Sequence, residues 1–392
     1  MNGRFRKLMN DLHLWLGLAS GLILFVVCLT GTIYTFRTEI DEFFSKEKYY
    51  FEIPAGVTKL NTNSLVAMVS ESEMAIVTGL SIPAKENKVW VFSIRPLERA
   101  NGEERGKQIF VNPYTASVQS DTETGSGKFF LTMMKLHRWL LMDMKTGRII
   151  VGIASLIFVF LLLSGIILWL PKRFRYWKQC FTIMFSGKWK RLNHDLHSVL
   201  GFYSFLFLLI MSLTGLCWSF DWYKKGASKL LNAPVLQRGG GKPVMSSASS
   251  GQTVAFSSVI EAANKELPQR GNIRVAAPED SSGVFTVTKN SEAAFNVTAT
   301  DKVSIDQYSG NVLKTEKFAD KAFGAKVAAS IKPLHTGEIF GLFSKILYFI
   351  VCLIGTSLPI TGTFIWINKL RKQKVTAISK NRAPVPALSV AE

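Results

Sequence analysis

Residues 11–36 read DLHLWLGLASGLILFVVCLTGTIYTF, and residues 195–220 read DLHSVLGFYSFLFLLIMSLTGLCWSF. Laid one over the other without a gap, twelve of the 26 positions are identical. His13 lies over His197, Gly17 over Gly201, and Leu-Thr-Gly over Leu-Thr-Gly. Shared hydrophobicity would match leucines. It would not match Asp, His, Gly and Thr-Gly together. An internal repeat of this kind decides the architecture before any single element is considered.

The repeat extends outward from these two stretches. FVNPYTASV (110–118) aligns with SIDQYSGNV (304–312), and KLHRWLL (135–141) with PLHTGEI (333–339). LLSGIILWLPKR (162–173) aligns with LPITGTFIWINK (358–369), one residue out of step. Four charge-free apolar runs result, at 14–36, 149–170, 198–220 and 346–367. About 20 residues of helix cross the roughly 30 Å hydrocarbon core of a bilayer, so each run is long enough to span. The first is read as a retained helix. A cleaved leader has an apolar core of about 7–15 residues and a small-residue cleavage site, whereas TIYTFRTEI follows here at 32–40. The expected fold is a membrane protein: a four-helix transmembrane bundle built from two parallel repeats, related by an axis along the membrane normal.

The net charge of +19 is explained by topology. The segment 171–193 holds seven Lys/Arg and no acid, and 1–10 holds three and no acid. The segment 37–146 balances 14 basic against 14 acidic residues. The positive-inside rule therefore puts both termini and the short basic loop in the cytoplasm, and the two long segments outside. This accounts for the high pI without nucleic acid. Of the four cysteines, Cys28, Cys217 and Cys352 fall within spans and Cys180 in the basic loop. No CxxC exists, so neither a thiol redox motif nor a zinc finger can be drawn.

Both outward segments read as α+β. In the first, KLNTNSLVAMV has helical character with Asn61 or Asn63 as cap, TGLSIPA and KVWVFSIRP alternate as strands, and KQIFVNPYTASVQ reads strand, turn, strand. In the second, SSVIEAANKEL is helical, while VFTVTKN, AAFNVTA (293–299) and KVSIDQYSGNVL are strands. LQRGGGKPVMSSASSGQ (236–252) is a Gly/Ser-rich connector without the G-K-[ST] ending of a phosphate loop.

Topology gives each of the five histidines a depth. His13, His194 and His197 open spans at the cytoplasmic side; His137 and His335 precede spans at the outward side. A polar imidazole near hydrocarbon is costly and is usually partnered and functional. One neutral imidazole from each of two facing helices provides two axial ligands, the set a six-coordinate haem uses. Copper or zinc would want a third ligand, and Cys or carboxylate candidates nearby are sparse. His13–Gly17 and His197–Gly201 are i,i+4 pairs, so each imidazole shares a helix face with a missing side chain. His194 matches Asn10 in the first repeat and is read as a group beside the cofactor rather than a ligand. Thr30-Gly31, Ser164-Gly165, Thr214-Gly215 and Thr361-Gly362 each lie at the far end of a span, where antiparallel packing would set them at the depth of the other histidine layer. Trp15, Trp139, Trp169, Trp218 and Trp366 are expected as aromatic-belt anchors.

DLHLWLGL, HDLHSVLGFY, LHTGEIFGL and the DQYSGNVL turn resemble the PepSY-associated transmembrane proteins, a group that includes bacterial inner-membrane siderophore-iron reductases. The resemblance covers about residues 5–372. One turn departs from the pattern: YTASV has Ala116 where YSGNV has Gly310. The resemblance implies two α+β PepSY-like periplasmic domains, at 37–128 and 221–330. Around them it sets the first span at 1–36, interfacial histidine segments with spans at 129–171 and 331–368, the basic loop at 172–194, the third span at 195–220 and a cytoplasmic tail at 369–392. It implies b-type haem held by span histidines, whose positions fall on His13, His137, His197 and His335. The expectation built on this is two haems, with iron held by His13 and His197 on one side and by His137 and His335 on the other. Gly17, Gly201 and His194 lie beside the first pair. It further implies an oxidoreductase that carries electrons outward to ferric iron in a siderophore or similar chelate. Arg138 and Lys332 are candidates to pair with haem propionates or an anionic chelate. No dinucleotide fingerprint is present, so the donor is a quinol or a separate reductase. The competing expectation is non-enzymatic: a membrane-anchored PepSY protein that binds or regulates a periplasmic partner.

Overall fold

A computed structural model of the chain describes residues 3–97, 106–120, 125–171, 173–236, 244–247, 251–291 and 296–381. In chain order the helices are α1 (Gly3–Thr35), α2 (Arg37–Phe44), α3 (Lys46–Tyr49), α4 (Thr62–Ser72), α5 (Gly125–Trp139), α6 (Met144–Trp169), α7 (Trp189–Ser219), α8 (Asp221–Leu230), α9 (Phe256–Glu266), α10 (Phe323–Thr336) and α11 (Leu342–Asn381). The strands are β1 (Ala75–Ile82), β2 (Trp90–Pro96), β3 (Lys107–Val111), β4 (Val118–Ser120), β5 (Ile273–Ala276), β6 (Val284–Asn290), β7 (Thr300–Asp306) and β8 (Val312–Glu316). Two compact units emerge. One takes the described residues of Met1–Ile33, Met133–Phe220 and Leu347–Glu392, and the other those of Tyr34–Thr132 and Asp221–Ile346.

Among the described residues, four helices are long and apolar enough to cross a membrane: α1, α6, α7 and the Leu342–Lys372 part of α11. Leu24 of α1 packs on Ala154 and Leu161 of α6, and Leu162 of α6 meets Leu208 of α7 and Val351 of α11. Large apolar side chains point away from these seams. Leu22 exposes 77% of its surface and Leu206 56%. In water that would be costly; against lipid tails it is the expected outer face. Small residues let backbones close in, as is usual in membranes. A Cβ built on Gly355 would stand 3.1 Å from Leu208 and 3.4 Å from the Cys28 sulfur. Asp143 caps α6, its carboxylate accepting from the Lys145 and Thr146 amides at 3.0 Å. One turn further on, a Cβ on Gly147 would run into the Trp139 carbonyl oxygen. Only glycine fits there.

In the other unit, the two long segments between spans contribute four strands each to one antiparallel eight-stranded sheet, ordered β4-β3-β2-β1-β5-β6-β7-β8. Where the sequence reading expects a domain from each segment, β1 pairs with β5 and the strands run on as one layer. α4 and α9 lie on one face, burying Leu65, Val69, Val259 and Ala263 against Phe92 and Val303. They are tied to each other: Asn63 Nδ2 donates to Ser257 Oγ at 2.7 Å, and the Ser257 amide donates back to Asn63 Oδ1 at 3.0 Å. The helix cap is Asn61, which accepts from the Asn63 amide at 2.8 Å. The expected strand at 293–299 is corrected in its described part. Asn296 Oδ1 accepts from Thr298 N and Thr298 Oγ1 at 3.0 and 2.8 Å, an Asx turn that delays β7 until Thr300. Most of the connector at 236–252 lies outside the described residues.

Two matching turns join β3 to β4 and β7 to β8. Asn112 Oδ1 accepts from the Tyr114 amide at 2.9 Å, and Asp306 Oδ1 accepts from Tyr308 and Ser309 at 2.9 and 2.8 Å. Each turn closes through a left-handed residue: Gly310 at φ 72° and Ala116 at φ 55°. The turn geometry is thus kept despite the missing glycine, at the steric cost an L-residue carries there.

Candidate functional site

His13 of α1 and His197 of α7 face each other in the membrane unit. Their ring centroids are 6.4 Å apart and the ring planes cross at 86°. A metal-bound imidazole nitrogen lies about 2.0–2.1 Å from the metal. Adding about 1.1 Å from that nitrogen to the ring centre, two axial imidazoles on one metal put their centroids about 6.3 Å apart. The observed separation of 6.4 Å is compatible with this ligation.

The second helix of each pair fixes the rings. His13 Nδ1 lies 2.8 Å from Ser164 Oγ of α6, and His197 Nδ1 lies 2.9 Å from Thr361 Oγ1 of α11. Both hydroxyls already donate their single proton to backbone carbonyls of their own helices. Ser164 donates to Leu161 at 3.1 Å, and Thr361 to Ser357 and Leu358 at 3.0 and 3.1 Å. A hydroxyl that has spent its proton can only accept. Each imidazole is therefore held with its proton on Nδ1, which leaves Nε2 bare as the ligating nitrogen. Beside each hydroxyl stands a glycine. A Cβ on Gly165 would be 3.5 Å from His13 Cε1, and one on Gly362 would be 3.3 Å from His197 Cε1.

A cavity of about 790 Å³ adjoins both rings. Gly17, Gly165, Gly201 and Gly362 line it, with Leu161, Leu162, Trp169 and Phe202 among its apolar walls. Trp169 corrects the aromatic-belt expectation. It is buried, stacked on Phe202 at 3.9 Å and 11°, and donates Nε1–H to the Cys180 carbonyl at 2.9 Å. Trp15, 63% exposed, keeps the outward-facing position expected of a belt residue. Among the described residues no three His, Cys, Asp or Glu side chains gather as a bare-metal site. Two imidazoles, four glycines and apolar side chains along the cavity fit a metal whose other positions are filled by a macrocycle.

His194 lines the same cavity but is exposed, 3.6 Å from Asp195 Oδ1. Sequence reasoning missed its neighbours. Asp195 is buried and accepts from Arg191 Nε at 2.8 Å and the Met184 amide at 3.3 Å. Buried Asn193 donates to the Thr361 carbonyl at 3.0 Å and so ties α7 to α11 beside His197. The signal was present in the residue types, a polar triplet inside a span, but not in any spacing.

His137 closes the last turn of α5. Its Nδ1 lies 2.8 Å from the Val27 carbonyl oxygen and 3.5 Å from Thr30 Oγ1, with Gly31 alongside. A carbonyl acceptor puts the proton on Nδ1. His335 belongs to the other unit. It is half-buried in the last turn of α10, which Gly337 ends in the left-handed conformation at φ 77°. Arg138 lies over the Trp139 ring, 5.1 Å from its centre, and Lys332 is exposed on α10.

The sequence profile described as the PepSY-associated TM region matches residues 11–369. No curated protein matches the chain.

Proposed function

The chain belongs to the PepSY-associated transmembrane family, and on that premise we propose that it is a haem-containing reductase of the bacterial inner membrane. It acts on ferric iron held in a siderophore or similar chelate on the periplasmic side. The observation that carries this reading is the His13–His197 pair, 6.4 Å apart with both Nδ1 atoms committed to hydroxyls. Haem iron bound there would supply one-electron transfer within the bilayer. The chain's own part is to present two bare Nε2 atoms from α1 and α7, hold their tautomers through Ser164 and Thr361, and exclude water with leucine and aromatic walls.

The second haem in this reading takes His137 and His335. What supports it is the equal position of the two residues in the repeat, and the carbonyl that fixes the His137 tautomer. The two-repeat reading draws support from the matching turns at Asn112 and Asp306, and from the matching His–hydroxyl–Gly clusters around His13 and His197. The basic loop and termini support cytoplasmic ends. Electrons enter from a quinol or a separate reductase and leave to the chelate. Reduction releases the metal because ferrous iron is held less well than ferric by hard oxygen donors.

The test is anaerobic reoxidation. The purified full chain, reduced by dithionite and freed of excess, is mixed with ferric chelates: siderophores, ferric citrate and a cupric chelate. We expect rapid reoxidation by at least one ferric chelate and its loss in His137→Ala. A reduced protein that no chelate reoxidises would remove the reductase reading. A colourless protein from haem-replete cells would favour a membrane-anchored module that binds a periplasmic partner.

A further inference from the structure

The cavity at His13 and His197 is amphipathic along its length. Its walls include Leu18, Leu24 and Phe158 at one end, and Arg6, Lys7, Arg191 and Lys369 at the other. Two of these four cations are already engaged. Arg6 donates to the Leu168 and Leu170 carbonyls at 2.6 and 2.8 Å, closing the end of α6, and Arg191 holds Asp195 at 2.8 Å. Lys7 and Lys369 join none of the ion pairs among the described residues. Both line the cavity and both are exposed. With a rise of about 1.5 Å per residue, Lys7 stands about 9 Å along α1 from His13, and Lys369 about 10 Å along α11 from Gly362. Each ammonium sits on a flexible stem that can lie along apolar wall while its head stays wet.

We propose that Lys7 and Lys369 hold the acidic edge of the ligand that the two imidazoles bind. The site then takes a flat apolar macrocycle carrying two carboxylates, with those carboxylates at the lysine end of the cavity. This rests on the haem reading and adds to it a recognition element and an orientation. One lysine comes from each end of the fold, the first span and the last, so the pair also brackets the ligand between α1 and α11.

The experiment compares iron protoporphyrin IX with its dimethyl ester, which has the same ring and iron but no carboxylate charge. The full-length chain, purified from cells unable to make haem, is titrated with each at low salt and followed by the Soret band. Wild type should bind the diacid about tenfold more tightly than the ester, the effect of two partly exposed charge pairs. K7Q/K369Q should lose that preference while binding the ester as wild type does, and K7R/K369R should keep it. A double variant that keeps the wild-type preference, or loses affinity for both porphyrins equally, overturns the proposal and leaves the haem reading standing. If neither porphyrin gives wild type an imidazole-ligated spectrum, the haem reading itself fails and the proposal falls with it.

Discussion

Ser164 and Thr361 do the same work from two different helices. Each spends its proton on its own backbone and so can only accept from the imidazole it faces. Removing such a support typically costs a metal site about 10–100-fold in affinity. Ser164→Ala and Thr361→Val should each weaken haem binding by about tenfold at the lower end of that range, while Thr361→Ser should bind as wild type does; Soret titration reads all three. Equal binding by every variant would show that the hydroxyls only fill space. The sequence marked these positions as small pairs at the depth of the histidines, but a contact between residues about 150 apart is not written in local spacing. In the unit that carries the sheet, Asp306 is a carboxylate that its neighbours hold charged. The Ser309 and Ser247 amides, then the Tyr308 amide and the Ser247 hydroxyl, hold its carboxylate well below the usual range. Its folded pKa lies below its unfolded one, so its stabilisation is complete above about pH 4 and is lost as the pH falls toward the folded value. Asp306→Asn should therefore lower the thermal midpoint at pH 7 and flatten its decline between about pH 4 and 2. An unchanged acid limb would assign that decline to other carboxylates.

At the level of elements, two glycine positions carry opposite lessons. The start of α6 is packed so tightly on the α5 end that Gly147→Ala would drive a methyl into the Trp139 carbonyl. Overpacking against rigid backbone should cost at least about 3 kcal/mol and show as a sharp loss of detergent-stable protein. A well-behaved Gly147→Ala protein would mean that the turn at Trp139 can move. The two strand turns should respond with opposite signs. Gly310→Ala should destabilise by about 1–2 kcal/mol, whereas Ala116→Gly should stabilise by up to about 1 kcal/mol, because both positions are left-handed. Melting the two variants side by side checks this; shifts of the same sign would contradict it. The spans, α4, α9 and most strands were legible from hydrophobic period and turn residues. β5 was not. It is four residues long, IRVA, too short for its alternation to stand out, yet it is the strand that joins the two segments through β1. Pairing between residues so distant in sequence depends on which edges meet, and no local pattern records that. In the described part of the strand expected at 293–299, Asn296 offers its side chain to the backbone in place of a ladder, while 293–295 lie outside the described residues.

For the molecule as a whole, the repeat was the most informative feature of the sequence, because it set His13 over His197 and His137 over His335 before any coordinate. It could not set distances. The 6.4 Å between His13 and His197 and the engaged Nδ1 atoms come from packing alone. Orientation follows from charge: a fluorescent reporter that matures only in the cytoplasm should glow at the C-terminus, while alkaline phosphatase fused after Ser120 should be active. The reverse result would put the basic loops outside and undo the direction of electron flow. The account as a whole stands on two imidazoles meeting one iron, and low-temperature electron paramagnetic resonance of the oxidised, purified chain reads that most directly. It should show low-spin ferric haem with the strong anisotropy of nearly perpendicular axial imidazoles, and His197→Ala should remove that component and leave only the low-spin signal of the haem assigned to His137 and His335. A haem-replete preparation with no low-spin, imidazole-ligated iron would contradict it.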